Sequence, residues 1–447
     1  MATDLTAGKP DRVLWKYSLP LFGSIVFQQL YNIADSVVAG RFIGENALAA
    51  VGNSYEVTLI YLAFAFGLNI GVSVVAARLF GAKRIAELKT AVSTAFVLSI
   101  AVCASLMLLG FLFSPALLKL IQTPAEIFDD TLLYLNIYTG GLMFLFLYNI
   151  STGIFASLGD SRTPFLFLAV SSVANILLDI LFVAAFGMGV AGVAWATFLC
   201  QGVSCGLAVL ALLRHIGGMR TEQKPKLFSR GILCNIIKIA LPSTLQQSFI
   251  SVGNIAIQSI INGFGTSAIA GYAAAIKFNN FAITSFSTLG NGVSNFTAQN
   301  MGANLPGRVR AGYRAALKMM AAIVTLFAAT YLGFGPRVIQ LFLNAENAAA
   351  LEIGTQFLRI VSPFYYVVAV KLACDGVLRG AGRMNEFMID TLADLALRVA
   401  LSFALAAPFG ITGVWWSWPI GWTIATVLSL LFYRRGKWAA LDAADGN

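Results

Sequence analysis

The chain has 447 residues, 58% of them hydrophobic and only 11% charged, with a mean hydropathy of +0.79. Soluble domains carry about 25% charged residues, so this composition excludes a soluble globular fold. The formal net charge of +10 does not describe a nucleic-acid footprint, because the basic residues fall in alternate links between apolar runs.

Runs able to cross about 30 Å of hydrocarbon recur at 13–40, 50–78, 90–121, 130–157, 164–186, 191–213, 234–262, 268–298, 312–334, 350–378, 386–407 and 412–433. They predict an all-α integral membrane protein with about twelve transmembrane helices. The short alternating segments of a transmembrane β-barrel are absent from the sequence. The first run lacks a small-residue cleavage site and reads as a span, not a removed signal peptide. Pro20 stands inside it, where it can bend or break the helix. Further along, in YNIADSVVAGRFIG, one carboxylate interrupts the apolar stretch. Gln28, Asn32 and Asp35 fall at i, i+4 and i+7 and share one helix face. The fourth span contributes Asn149, the fifth Asn175 and Asp179 at i and i+4, and the sixth Thr197. An ionised aspartate at the bilayer centre costs about 2.5–3.5 kcal/mol on insertion scales, so it faces a cavity or a partner. Asp35 and Asp179 are therefore expected to form a proton or cation site, against the alternative of aspartates that only lock helix packing.

Between spans five and six, GMGVAG (Gly187 to Gly192) matches the dinucleotide fingerprint G-x-G-x-x-G. That motif has meaning only between a strand and a helix; joining two membrane helices, it is expected to be a turn. The single histidine, His215, falls in the polar link after span six and reads as a solvated loop residue. Cys103, Cys200, Cys205, Cys234 and Cys374 lie in apolar spans without metal or disulfide spacing, and are expected to be small core residues.

The second half has a different polar inventory. Gln247, Ser251, Asn254 and Gln258 continue a polar face along the seventh span, with no acid among them. Lys277 in the eighth span corresponds to Glu56 in the second. Lys371, Asp375 and Arg379 form an i, i+4, i+8 ladder in the tenth span, and Asp390, Asp394 and Arg398 another in the eleventh. These spans are antiparallel across a short loop, which brings Lys371 and Asp394 to similar depth. A structural pair between the ladders and a second ion route are both open readings.

Most of the 30 basic residues collect on one side of this topology, in Lys9–Lys16, Arg78–Lys89, Arg214–Arg230, Arg308–Lys318 and Arg434–Lys437. The other side holds Glu45, Glu126, Asp129, Asp130, Glu346 and Glu352. The positive-inside rule places both termini and the central link in the cytosol. The chain then divides into an N-terminal six-helix lobe (1–213), a cytosolic linker (214–233) and a C-terminal six-helix lobe (234–447).

The two lobes repeat each other. Pro20 matches Pro242, Asn32 matches Asn254, and Gly44 matches Gly265; GVSVVAARLFGA matches GVSNFTAQNMGA, and FGMGVAGVAW faces FGITGVWW. The offset stays at 221 or 222 residues, the mark of a duplication. Six spans per copy insert in the same orientation, which relates the lobes by an axis along the membrane normal and predicts a substrate cavity at their interface.

With these residues in hand, the chain resembles the multidrug and toxic compound extrusion (MATE) transporters of the multidrug/oligosaccharidyl-lipid/polysaccharide (MOP) superfamily, over essentially its whole length. The resemblance rests on the paired halves, Pro20 with Asp35, Asn175-x-x-x-Asp179, the G-D-x-R-type loop after span four and the Gln299–Ala303 stretch. It implies export of organic, cationic compounds by alternating access, driven by protons or sodium, across a bacterial cytoplasmic membrane. It further implies that Asp35, Asp179, Asn175, Thr197 and Asn149 bind the coupling cation, that Pro20 bends in response, and that a tyrosine, Tyr134 or Tyr138, lines the site. Sodium-coupled members carry acids in spans seven and ten; span seven here has none, and this departure favours protons. The second-lobe candidates are Asn254, Gln247, Lys277, Lys371, Asp375 and Asp394. No cofactor, metal or nucleic acid is implied, and a monomer in the lipid bilayer is expected. A flippase for lipid-linked oligosaccharides is the competing reading in the same superfamily, and would want a cavity rich in arginine and lysine. A membrane-embedded enzyme lacks any metal or nucleophile motif here, and a channel would be excluded by coupled transport.

Overall fold

The computed structural model describes residues 3–38, 45–343 and 347–439, and the side chains of these except at 30–38, 45–48, 55 and 56. The first half supplies α1 (Pro10–Val38), α2 (Glu45–Gly81), α3 (Ile85–Leu120), α4 (Ala125–Gly140), α5 (Leu142–Ser157), α6 (Arg162–Ile180) and α7 (Gly189–Gly217). The second supplies α8 (Arg230–Asn262), α9 (Thr266–Gly302), α10 (Pro306–Ile339), α11 (Ala348–Val361), α12 (Tyr365–Gly380) and α13 (Met384–Arg434).

These helices map onto the expected spans once three joints are recognised. α4 and α5 form one span bent by 47°. α11 and α12 form another, joined by a 3₁₀ turn at Ser362–Phe364. α13 carries two spans, separated at Gly410, whose φ of 61° and ψ of −149° leave the helical region. With α11 and α12 counted as one, seven described helical runs are long and apolar enough to cross a membrane, or eight with the bent pair α4 and α5. α8 and α9 fall short because amides dilute them, Gln246, Gln247, Asn254 and Gln258 in one and Asn279, Asn280, Asn291 and Asn295 in the other.

The duplication is written in the backbone as well as in the letters. Lys83 and Asn304, at equivalent turns after α2 and α9, both adopt positive φ (57° and 58°). Gly187, inside GMGVAG, and its counterpart Gly410 do the same at 67° and 61°, so the apparent fingerprint is a turn at Gly187–Met188 followed by the start of α7. α2 packs against α3, α4 and α5, while its copy α9 packs against α10, α11 and α12. Close approach in the second case needs glycine: a Cβ on Gly376 of α12 would lie 2.6 Å from the Gly290 carbonyl oxygen of α9.

Two compact units result. One comprises residues 1–4 and 19–244, the other 5–18 and 245–447. α1 and α8 are each divided between them, close to Pro20 and Pro242. α1 runs uninterrupted through Pro20, whose carbonyl accepts the Ser24 hydroxyl at 3.0 Å. In the second unit the N-terminal segment is tied down by the Gln299–Ala303 stretch and by Arg308 beyond it. Gln299 accepts the Leu5 N–H (3.3 Å), Asn300 donates to the Leu5 carbonyl (3.1 Å), and Arg308 donates to the Ala7 and Gly8 carbonyls. Two expectations need correction. Cys234 is exposed, one turn into α8 where the buried face belongs to Ile232, Ile236 and Ile239, although the other four cysteines are buried. His215 is exposed but helical, because α7 continues two residues past it.

Candidate functional site

In the first unit, α6 continues beyond Ile180 into five residues of π-helix, Leu181–Ala185. Asp179 occupies the turn just before it and is fully buried, and Asn175, one turn earlier, is buried too. A π-turn accommodates an extra residue and so rotates the remainder of the helix by about 100°. Val183, inside that turn, packs with Tyr134, Val190, Val193 and Ala194. Thr197 is buried on α7, which lies against α6. Tyr134 and Tyr138 stack with ring centroids 6.4 Å apart, and both contact the Val183 cluster. Tyr134 is buried and Tyr138 half-buried.

Two carboxylates are buried among the described residues of this unit, and they do different work. Asp160 serves the start of α6, accepting the N–H groups of Arg162 and Thr163 (both 3.1 Å) and the Thr163 hydroxyl (2.7 Å). Asp179 stands far down the same helix, beside the π-turn. Asn149 is half-buried: its amide donates to the Leu145 carbonyl at 2.8 Å, while its own backbone carbonyl accepts Asn69 Nδ2 at 2.5 Å. Asn69, a lone amide in the second apolar run, carries the same signal as Asn149 in the fourth and escaped the sequence reading. Gln28 is half-buried on α1. Asp35 and Asn32 lie on the α1 backbone, but their side chains, like that of Glu56, are outside the described residues.

The second unit gathers the two charge ladders into one buried cluster, with a register different from the expected one. Lys371 donates to Asp375 at 2.6 Å and reaches Asp390 at 3.4 Å. Among the described residues it makes no hydrogen bond or ion pair with Asp394. The antiparallel ladders meet one turn nearer their connecting loop than matched depth suggests, so Asp390 takes the place foreseen for Asp394. Ser429, from the second span of α13, hydrogen-bonds Asp375 at 3.0 Å and makes a short contact with Asp390. The sequence gives no hint of it, because the residue comes from a third span. Arg379 donates to Asn291 at 2.8 Å and lies over Phe387, and Arg398 lies 4.4 Å from the Trp418 ring centroid. Asp394 keeps a shielded Oδ1 without a hydrogen-bond partner among the described residues, as does Asn254. Gln247 is exposed, and Lys277 is exposed with its ammonium 4.6 Å from the Phe342 centroid. Neither joins the cluster. Three cations and three carboxylates balance across the two ladders.

Residues 20–181 and again 242–404 match the model of the MatE family. Each match begins at the proline that the internal repeat pairs. The chain belongs to the MatE family. It is 28% identical over 442 residues to the "Probable multidrug resistance protein YpnP" of Bacillus subtilis, covering 98% of both chains. It is 25% identical to the "FAD transporter" of Shewanella oneidensis, over 92% of this chain and 91% of that one. Its fold matches a MOP superfamily transporter from Pyrococcus furiosus with a TM-score of 0.90 at 24% identity, covering 97% of each chain. The protein is thus a multi-pass membrane transporter of the MATE fold and not an enzyme.

Proposed function

We propose that this MATE protein is a secondary antiporter that exports organic cations in exchange for protons, or sodium, by alternating access between its two lobes. The observation that carries the proposal is Asp179: a fully buried carboxylate, one helical turn after buried Asn175 and directly before a π-turn. A carboxylate in that setting is expensive to keep charged, and intramembrane acids mark ion pathways. It holds either a cation or a proton, and it must exchange that ion when the site opens to water. Asp35, in the first span, is proposed as its companion. In the second lobe the charges already balance across the two ladders around the Lys371–Asp375–Asp390 cluster, which supports a structural role there and leaves coupling to the first lobe. An acidic site favours cationic cargo over an anion such as FAD. The membrane is proposed to be a bacterial cytoplasmic membrane with both termini inside, from the distribution of lysine and arginine.

The test is uptake of a panel of organic cations into everted vesicles, with proton and sodium gradients imposed separately. Accumulation driven by an acid-inside gradient alone supports the proton reading. Accumulation only with sodium replaces it by the sodium reading, and accumulation that ignores both gradients rejects antiport.

A further inference from the structure

The second unit carries a separate cavity where the first turns of α10 meet the end of α13. It has a volume of about 300 Å³ and is lined by Arg310, Tyr313, Arg314, Tyr433, Arg434 and Trp438, the lower end of the range for small-ligand sites. Three rings are layered in it. Tyr313 stacks on Tyr433 at 4.3 Å between centroids, and Tyr433 on Trp438 at 5.4 Å. The Arg310 guanidinium lies 6.0 Å from the Trp438 centroid. The wall is pinned on both sides: the Trp438 indole donates to the Tyr433 carbonyl at 2.8 Å, and Arg383 donates to the Lys437 carbonyl at 2.6 Å. Tyr313 and Trp438 are buried.

The positive-inside rule accounts for arginines at the cytosolic ends of these spans. It does not account for three of them converging on one cavity with a stacked aromatic wall. The described lining contains no carboxylate. Among the described residues the guanidinium groups of Arg310, Arg314 and Arg434 make no ion pair or hydrogen bond. Guanidinium forks match phosphate oxygens bidentately, tyrosine and tryptophan are the residues of the membrane interface, and basic pockets between cytoplasmic helix ends hold anionic lipid headgroups. We propose that this cavity is a phosphate-binding site whose ligand is the phosphodiester of an anionic phospholipid headgroup. The Tyr313 hydroxyl meets Cys374 Sγ at 3.3 Å, beside Asp375, so the aromatic stack runs from this cavity to the edge of the buried charge cluster.

The experiment records the unfolding midpoint of the purified full chain in detergent. It is titrated with short-chain phosphatidylglycerol, with phosphatidylcholine of the same chain length, and with inorganic phosphate. Phosphatidylglycerol is expected to raise the midpoint saturably, with phosphatidylcholine about tenfold weaker. Arg314→Gln and Arg434→Gln are each expected to weaken phosphatidylglycerol binding about tenfold, since a charge-assisted bond is lost. Arg230→Gln, a cytosolic change elsewhere, should leave it unaltered. Arg314→Lys keeps the charge but loses the fork, and serves if the glutamine variant does not fold; it too should bind more weakly. Equal stabilisation by inorganic phosphate, abolished by the same variants, would keep the phosphate chemistry but overturn the lipid assignment. No saturable shift with either, or wild-type binding in the arginine variants, would overturn the site altogether.

Discussion

Lys371 is buried with two carboxylates in reach, so removing it strands negative charge in a dry interior. Lys371→Met is expected to lose about 3–5 kcal/mol of stability, measured by thermal unfolding in detergent. Adding Asp375→Leu should recover much of that loss, whereas adding Asp394→Leu should not. Rescue by the Asp394 change instead would restore the pairing that matched depth suggests. Asp160→Ala removes the cap of α6 and should cost about 0.5–2 kcal/mol by the same measurement, with transport intact in whatever folds. The sequence reveals the buried charges at this scale, because aspartate and lysine stand out against an apolar background. It hides their partners: ladder spacing fixes a helix face but not the register of one helix against the next, and Ser429 carries no charge to draw notice.

Among the elements, the joints are what the sequence conceals. Twelve apolar runs foretell twelve spans, yet a 47° bend between α4 and α5 and the π-turn after Asp179 are set by packing, which no periodicity reports. Gly410 was legible only as one half of a repeated turn, and its backbone shows why glycine is needed there. Its φ and ψ fall in a region essentially closed to residues with a Cβ. Gly410→Ala should therefore lower stability by about 1–3 kcal/mol. Gly52→Ala in α2, where an added methyl would meet nothing within 4 Å among the described residues, should be neutral or stabilising by up to about 1 kcal/mol. Equal unfolding midpoints for the two variants would contradict the break as drawn.

For the whole molecule, the duplication was the most legible feature, and both the paired positive-φ turns and the doubled family match repeat it. The division of α1 and α8 between two units was not legible, since a helix that changes neighbours midway keeps one unbroken apolar pattern. Orientation rests on charge placement. A single cysteine replacing exposed Glu222, in a chain freed of its native cysteines, should react with an impermeant reagent only from the cytosolic side. Labelling from outside in intact cells would invert the topology. The central claim is that buried Asp179 exchanges the coupling ion for cargo. It is tested most directly by adding an organic cation to proteoliposomes and recording proton movement, in wild type and in Asp179→Asn of equal thermal stability. Cargo should drive protons in the opposite direction in wild type and move none in the variant. Wild-type proton movement in Asp179→Asn would contradict it.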